Sequence, residues 1–503
     1  MTADGVAPEA IEDVDPGTAS TFAVRNALKL GASLLFTWGI ALIIRLLLPR
    51  TLGPALFGNL NFADGFSATT FILLGLGADA HIRKEVSVRP ACASDFYGGL
   101  TVLRLGLAVL VLSGMALIMH ATGRSEDVTL LVMLFGVTQF FVSANATLSA
   151  MLHAKGRVGA MSVLAVATKV VWAGGVLLAM AVHAHLWAYA AAYLASESVE
   201  TFVLYGLAQQ HVGLRFRVDP SATKAMLATS LPYYLQTFAS TAYGKLDVTL
   251  LEFAGNNTEV GWYGAASAVA SLTLLATPLI GWVLMPMFAR AAARSRAELD
   301  EQVRRALELI MSVAIPIGLV IYLGAAVWIR IIFGAPFAPA AGALRVLAPM
   351  FVVMYVSIIY SCALVMLERP WALVIIALGG LVVNVAVNLA VIRYSLRVLG
   401  PGGGGTGCAL AMLATEIVVT SCMLALLGRT GFDRRSLSAI AKSLVACAVT
   451  VLIDERTGFL GSARLVLDGI IYAVIVLSTG AVRPGDILAV VKEATKRRGG
   501  ASA

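Results

Sequence analysis

Thirteen charged residues stand inside stretches that are otherwise apolar. The cations are Arg45, Arg104, Lys169, Lys245 and Arg345; the carboxylates are Asp64, Asp79, Glu197, Glu200, Asp247, Glu252, Glu416 and Asp468. These stretches run to about 20 residues, the length a helix needs to cross a ~30 Å hydrocarbon core. A charge at the centre of that core costs at least ~2.5 to 3.5 kcal/mol, so each one implies a ligand, a coupled ion or a buried partner. Tyr189, Tyr193, Glu197 and Glu200 follow spacings of 4, 4 and 3, which places two aromatic rings and two carboxylates on one helical face. Lipid would reject such a face, so a polar cavity is expected beside it. Lys245 and Glu252 share a face, whereas Asp247 points away with Tyr243, so that helix is expected to be surrounded by protein and cavity. Asn384 and Asn388, four apart, fit interhelical hydrogen bonding better than a ligand contact.

Simpler readings exist for several of these charges. Arg45, Asp79, Glu252 and Asp468 lie near span ends and can snorkel to the interface, and the central charges can pair only to hold helices together. Asp64, Asp247 and Glu416 are the carboxylates that a proton or Na⁺ would neutralise in a transport cycle. No metal site is expected. His183 and His185 lack a third ligand nearby, and the five cysteines show no CxxC spacing. The run PGGGGTG at residues 401–407 lacks the Lys-Ser/Thr of a phosphate loop and reads as a flexible connector.

The elements that must position these residues follow from composition. Of 503 residues, 59% are hydrophobic and 13% charged, with a mean hydropathy of +0.86, against roughly 25% charged in soluble domains. An all-α polytopic membrane protein is expected, and cutting the chain at charged or Gly/Pro-rich breaks gives about 14 spans. Twenty-five of the 37 Lys and Arg then fall on the side of the N-terminus, seven on the opposite side and five within spans, which predicts a multi-pass protein of the cytoplasmic membrane with both termini inside. The +8 net charge is accounted for by these loops, not by nucleic-acid binding. The expected divisions are 1–22, a disordered cytoplasmic tail; 23–210, a six-helix lobe; 211–226, a cytoplasmic linker; 227–430, a second six-helix lobe; 431–482, two further spans; and 483–503, a basic cytoplasmic tail. The acidic first twenty residues, without Lys or Arg, are the reverse of a signal peptide. Short loops leave no room for a separate catalytic domain. Pro278, Pro286, Pro316 and Pro349 are expected to kink their helices. The segments at 56–64 and 259–267 echo one another at the outer end of the second helix of each lobe, as parallel repeats would.

The stretch 26–85 contains NALKLG, RLLLPRTLGPALFGNLNFAD, LLGLGAD and RKE, and 231–267 contains LPYYL, KLD and VGWYGAAS. Both resemble the polysaccharide-transporter branch of the multidrug/oligosaccharidyl-lipid/polysaccharide exporter superfamily. The opening lacks the S-R-x-x-G-x-x-R-D pattern of the lipid II flippases. The resemblance implies two six-helix lobes with two extra C-terminal helices, and a flippase moving undecaprenyl-diphosphate-linked oligosaccharide to the outer leaflet by alternating access. It implies no enzyme activity and no cofactor, with a H⁺ or Na⁺ gradient as a candidate energy source. Membrane lipid is an expected partner, and a polysaccharide polymerase and glycosyltransferases are candidate partners. A lipid diphosphate needs cations, for which Arg45, Arg104, Lys169, Lys245 and Arg345 are the candidates, and the glycan would meet Tyr189, Tyr193, Glu197 and Glu200. A multidrug or cation antiporter, a lipid II flippase and a membrane-embedded glycan polymerase are the alternatives.

Overall fold

The computed structural model describes residues 16–77, 79, 82, 85, 86, 92–155, 158–428, 434–457 and 464–479, with side chains from Phe36 onward except at 158, 232–233, 275–276, 278–279, 281–283, 434–437 and 439. The tail residues 1–15 and 483–503 lie outside them, and helix begins at Pro16, inside the segment expected to be disordered. Among the described residues there is no strand. The chain is a succession of helices: α1 (Pro16–Phe71), α2 (Ala93–Ala121), α3 (Glu126–Ala154), α4 (Val158–Ala181), α5 (Leu186–Val212), α6 (Pro220–Ala254), α7 (Asn257–Ala270), α8 (Thr277–Arg294), α9 (Arg296–Leu323), α10 (Ala325–Phe333), α11 (Ala340–Met366), α12 (Pro370–Leu399), α13 (Gly403–Leu427), α14 (Arg434–Arg456) and α15 (Arg464–Ser478). Each expected span falls on one of them or on a consecutive pair. Among the described residues, eight helices are long and apolar enough to cross a membrane by length and composition, and the chain is a multi-pass α-helical membrane protein.

Local sequence explains the breaks. α1 is two arms that meet at Gly53, whose φ of 74° and ψ of 170° are open to glycine and strained for other residues, with Pro49 and Pro54 flanking the turn. Ser125, Asp219, Asn256 and Ser295 cap α3, α6, α7 and α9 by accepting backbone N–H groups. The span expected near residues 261–287 is interrupted by a 3₁₀ segment at Ser271–Ala276 between α7 and α8. Pro286, Pro316 and Pro349 lie inside α8, α9 and α11, whereas Pro278 is the second residue of α8, where its missing N–H costs nothing.

The end of the bundle carrying the α2–α3, α4–α5, α6–α7 and α12–α13 connections is termed the outer end, after its low Lys and Arg content. There the apolar core is continuous across both halves of the chain: Phe57, Phe62 and Phe66 of α1 and Val132 of α3 join Val260, Tyr263 and Ala266 of α7 and Leu347 of α11. At the inner end it divides. One core gathers Phe96, Leu148, Met151 and Leu204 with Met226 at the start of α6. The other gathers Phe288, Leu307, Ile359, Tyr360 and Leu373 with Tyr472 of α15. The second arm of α1 and α7, the two segments that echo each other in sequence, form the outer junction, and α14 and α15 pack on α9.

Candidate functional site

In the first half, a polar cluster is built between α3, α4 and α5 around the carboxylate of Glu197. Asn145 donates to its side chain at 3.0 Å and to its carbonyl at 3.1 Å, and the Thr201 hydroxyl donates to the other face of the Asn145 amide at 2.6 Å. Lys169 Nζ lies 4.0 Å from Glu197. It also stands 5.5 Å from the Trp172 ring centroid and 5.8 Å from that of Tyr193, an aromatic box of the kind that holds a cation. Thr168 donates to Glu200 at 3.1 Å, and Ser196 to the Thr168 carbonyl at 2.8 Å. The carboxylates of Asp64, Glu197 and Glu200 all lie near the Tyr193 hydroxyl. The site thus gathers three carboxylates, one ammonium and two rings at mid-depth.

The Tyr189–Glu200 face differs from the cavity lining its spacing suggested. Tyr189 is buried in the outer core and Glu197 is buried against Asn145, so this part of the face is filled by neighbouring helices. Tyr193, Glu200, Lys169 and Asp64 remain half-buried and form the accessible portion.

Arg104, expected in the substrate-binding set, is placed among protein acceptors. It is buried at 3% exposure, and its guanidinium is spent on protein acceptors: the Leu74 carbonyl at 2.8 Å, the Ser143 carbonyl at 2.7 Å and the Thr147 hydroxyl at 2.6 Å, with Asp79 at 3.8 Å. It donates to the carbonyls of Leu74 and Gly75 where α1 and its 3₁₀ extension end, and to Ser143 and Thr147 of α3. Lys245 is half-buried, while Arg45 and Arg345 are exposed. These three make no ion pair among the described residues.

In the second half, Asp247 is buried at 1% exposure and receives hydrogen bonds from Asn388 at 2.9 Å and from the Tyr263 hydroxyl at 3.0 Å. Asn388 also donates to Asn384 at 3.0 Å, so the asparagine pair does tie helices together, joining α12 to α6. Asn388 Oδ1 is buried with no donor. Glu416, the third candidate for ion coupling, is buried on α13 at 2% exposure.

Three further readings are corrected. Glu252 is buried and paired with Arg124 from the α2–α3 connection, so it does not snorkel. Asp468 is likewise buried, at 1% exposure. The glycine run is no flexible connector: it starts α13, and the amides of Gly402, Gly404 and Gly405 donate to the Glu259 carboxylate at 2.8, 3.1 and 3.3 Å. Glu259 fills the anion-binding position that a helix N-terminus offers. Sequence reasoning missed Asn145, Arg124 and Glu259. Asn145 carries no spacing signal, and the other two find partners more than a hundred residues away.

Two lobes joined at one end, with polar clusters buried between their helices, define a class of two-lobed, multi-pass α-helical membrane protein. The chain belongs to the polysaccharide biosynthesis protein family, whose pattern it matches over residues 23–292. A search of curated proteins gave no match. Among solved structures, the fold is similar to the lipid II flippase MurJ in an inward closed conformation, with TM-score 0.70 and 15% identity, covering 90% of this chain and 98% of that one. It is also similar to an inward-facing multidrug resistance MATE family transporter of the MOP superfamily, with TM-score 0.58 and 16% identity over 80% of this chain and 94% of that one. A third relative is a MOP superfamily transporter from Pyrococcus furiosus described as having a binding pocket of reversed polarity, with TM-score 0.56 and 16% identity over 81% and 96%.

Proposed function

We propose that this protein is a flippase that carries a polyprenyl-diphosphate-linked oligosaccharide from the cytoplasmic to the outer leaflet of a bacterial cytoplasmic membrane, with both termini inside. The observation that carries this reading is the mid-depth group of Lys169, Trp172, Tyr193 and Glu200 in a member of a polysaccharide biosynthesis family. Rings stack on sugar faces and carboxylates accept sugar hydroxyls, while the lipid tail stays in the bilayer. Arg45, Lys245 and Arg345, which are free of ion pairs among the described residues, are the cations proposed to compensate the diphosphate, with Lys169 beside the first sugar. The divided inner core and shared outer core support alternating access in which the lobes part at one end at a time, with the outer end closed here. Asp247, with an undonated Asn388 oxygen beside it, is the proposed site for a coupling H⁺ or Na⁺, with Asp64 and Glu416 as secondary carboxylates. Polymerase and glycosyltransferase partners fit the same reading.

One observation favours a second reading. Three carboxylates against one lysine around Tyr193 suit a cationic substrate, as a cation antiporter would require. The deciding experiment reconstitutes the purified protein in liposomes and compares movement of a polyprenyl-diphosphate oligosaccharide with uptake of organic cations. Translocation of the lipid-linked sugar without cation uptake is expected; cation uptake alone would overturn the flippase reading.

A further inference from the structure

The outer ends of the two lobes are held by one charged contact as well as by apolar packing. Arg124 lies in the short connection between α2 and α3, directly after Gly123, whose φ is 64°. Its guanidinium meets the Glu252 carboxylate at the end of α6 and approaches the Glu252 carbonyl at 3.5 Å. The same guanidinium stands 5.5 Å from the Phe62 ring centroid and 5.4 Å from that of Phe253. Phe62 belongs to the first lobe and Phe253 to the second, and their rings meet edge to face at 6.0 Å. One cation is therefore gripped by an aromatic ring from each lobe and neutralised by a carboxylate from the second.

We propose that Arg124 and Glu252 form a latch that keeps the two lobes closed at their outer end and must part for the protein to open outward. The Glu252 side chain is 2% exposed and that of Arg124 25%, so the carboxylate is fixed in the core while the guanidinium sits at the rim, reached from the connection between α2 and α3. Its partner would then be left desolvated and unpaired, which sets a barrier to opening. The outer junction otherwise rests on close glycine approaches and apolar side chains, with the Asn61 amide against Gly264. The latch is the only inter-lobe ion pair among the described residues at this end. It does not depend on what the protein carries.

The test is a distance measurement by electron spin resonance on the full chain in lipid nanodiscs. Labels are attached through non-natural residues at His185 and Arg397, both exposed at the outer end, so the native cysteines stay. The intact protein is expected to give a short-distance population. Arg124→Gln and Glu252→Gln should each add a longer one, and the charge-exchanged pair Arg124→Glu with Glu252→Arg should remove it. Should the glutamine variants not be recovered as folded protein, Arg124→Lys is read in their place, because it keeps the charge and loses the fork. A distribution unmoved by these single substitutions, or not returned by the exchanged pair, would overturn the latch.

Discussion

Gly58 and Gly261, from the second helices of the two lobes, cross backbone to backbone. A Cβ on Gly58 would lie 1.6 Å from the Asn257 carbonyl oxygen and 3.1 Å from the Gly261 nitrogen, and one on Gly261 would lie 2.0 Å from the Pro54 carbonyl oxygen. The crossing joins the two echoed sequence segments, and the continuous outer core surrounds it. Small residues allow this approach where lipid offers no hydrophobic drive between helices.

Gly261→Ala should therefore loosen or misassemble the junction, since the atom struck is backbone and cannot move aside. Overpacking of this kind costs about 1–3 kcal/mol or more. A drop in thermal midpoint of the purified protein is expected; Gly206→Ala, with open space around it, serves as the unaffected control.

Arg104→Gln should lower the amount of folded protein in the membrane and leave export per folded molecule close to normal. Two carbonyls and a hydroxyl lose a charged donor, at about 1.5–3 kcal/mol for each such bond. Full expression with abolished export would return Arg104 to the binding site.

For Lys169 the opposite pattern is expected. The ammonium is one-third exposed and its 4.0 Å contact with Glu197 is loose, so Lys169→Gln should preserve folding while reducing export of the lipid-linked glycan tenfold or more, the equivalent of about 1.4 kcal/mol. Unchanged export from well-expressed protein would remove Lys169 from the substrate path.

Asp247→Asn should leave the helices joined through Asn388 and Tyr263 yet make transport in liposomes insensitive to imposed H⁺ or Na⁺ gradients. Asn388→Ala should act in the same direction and also destabilise by about 1–3 kcal/mol, because the buried carboxylate loses a donor. Gradient-dependent transport persisting in both variants would make this cluster structural.

Glu259→Ala would strip three glycine amides of their acceptor at the start of α13. The expected result is a lower thermal midpoint with partial rescue by Glu259→Gln, whose oxygen still accepts. An unchanged midpoint for the alanine variant would show that water satisfies these amides.

Length, composition and the spacing of apolar stretches determined the all-α, multi-pass class, because a bilayer admits helices only as long apolar runs and penalises each charge within them. The Tyr193, Glu197 and Glu200 face and the Asn384–Asn388 pair were also legible, since each lies within one helix, where spacing fixes the direction a side chain takes. Which charges stay available was decided by the tertiary structure alone. Arg104 and Lys169 look alike in sequence, but one is saturated by carbonyls where α1 ends, while the other is held between rings with its ammonium part exposed. Arg124, an ordinary loop arginine by sequence, acquires its role from Glu252, 128 residues away. The glycine run at 401–407 is ordered because Glu259 reaches its amides from another helix. Pairings of this kind depend on how helices distant in the chain pack together, and no periodicity within a single helix records them.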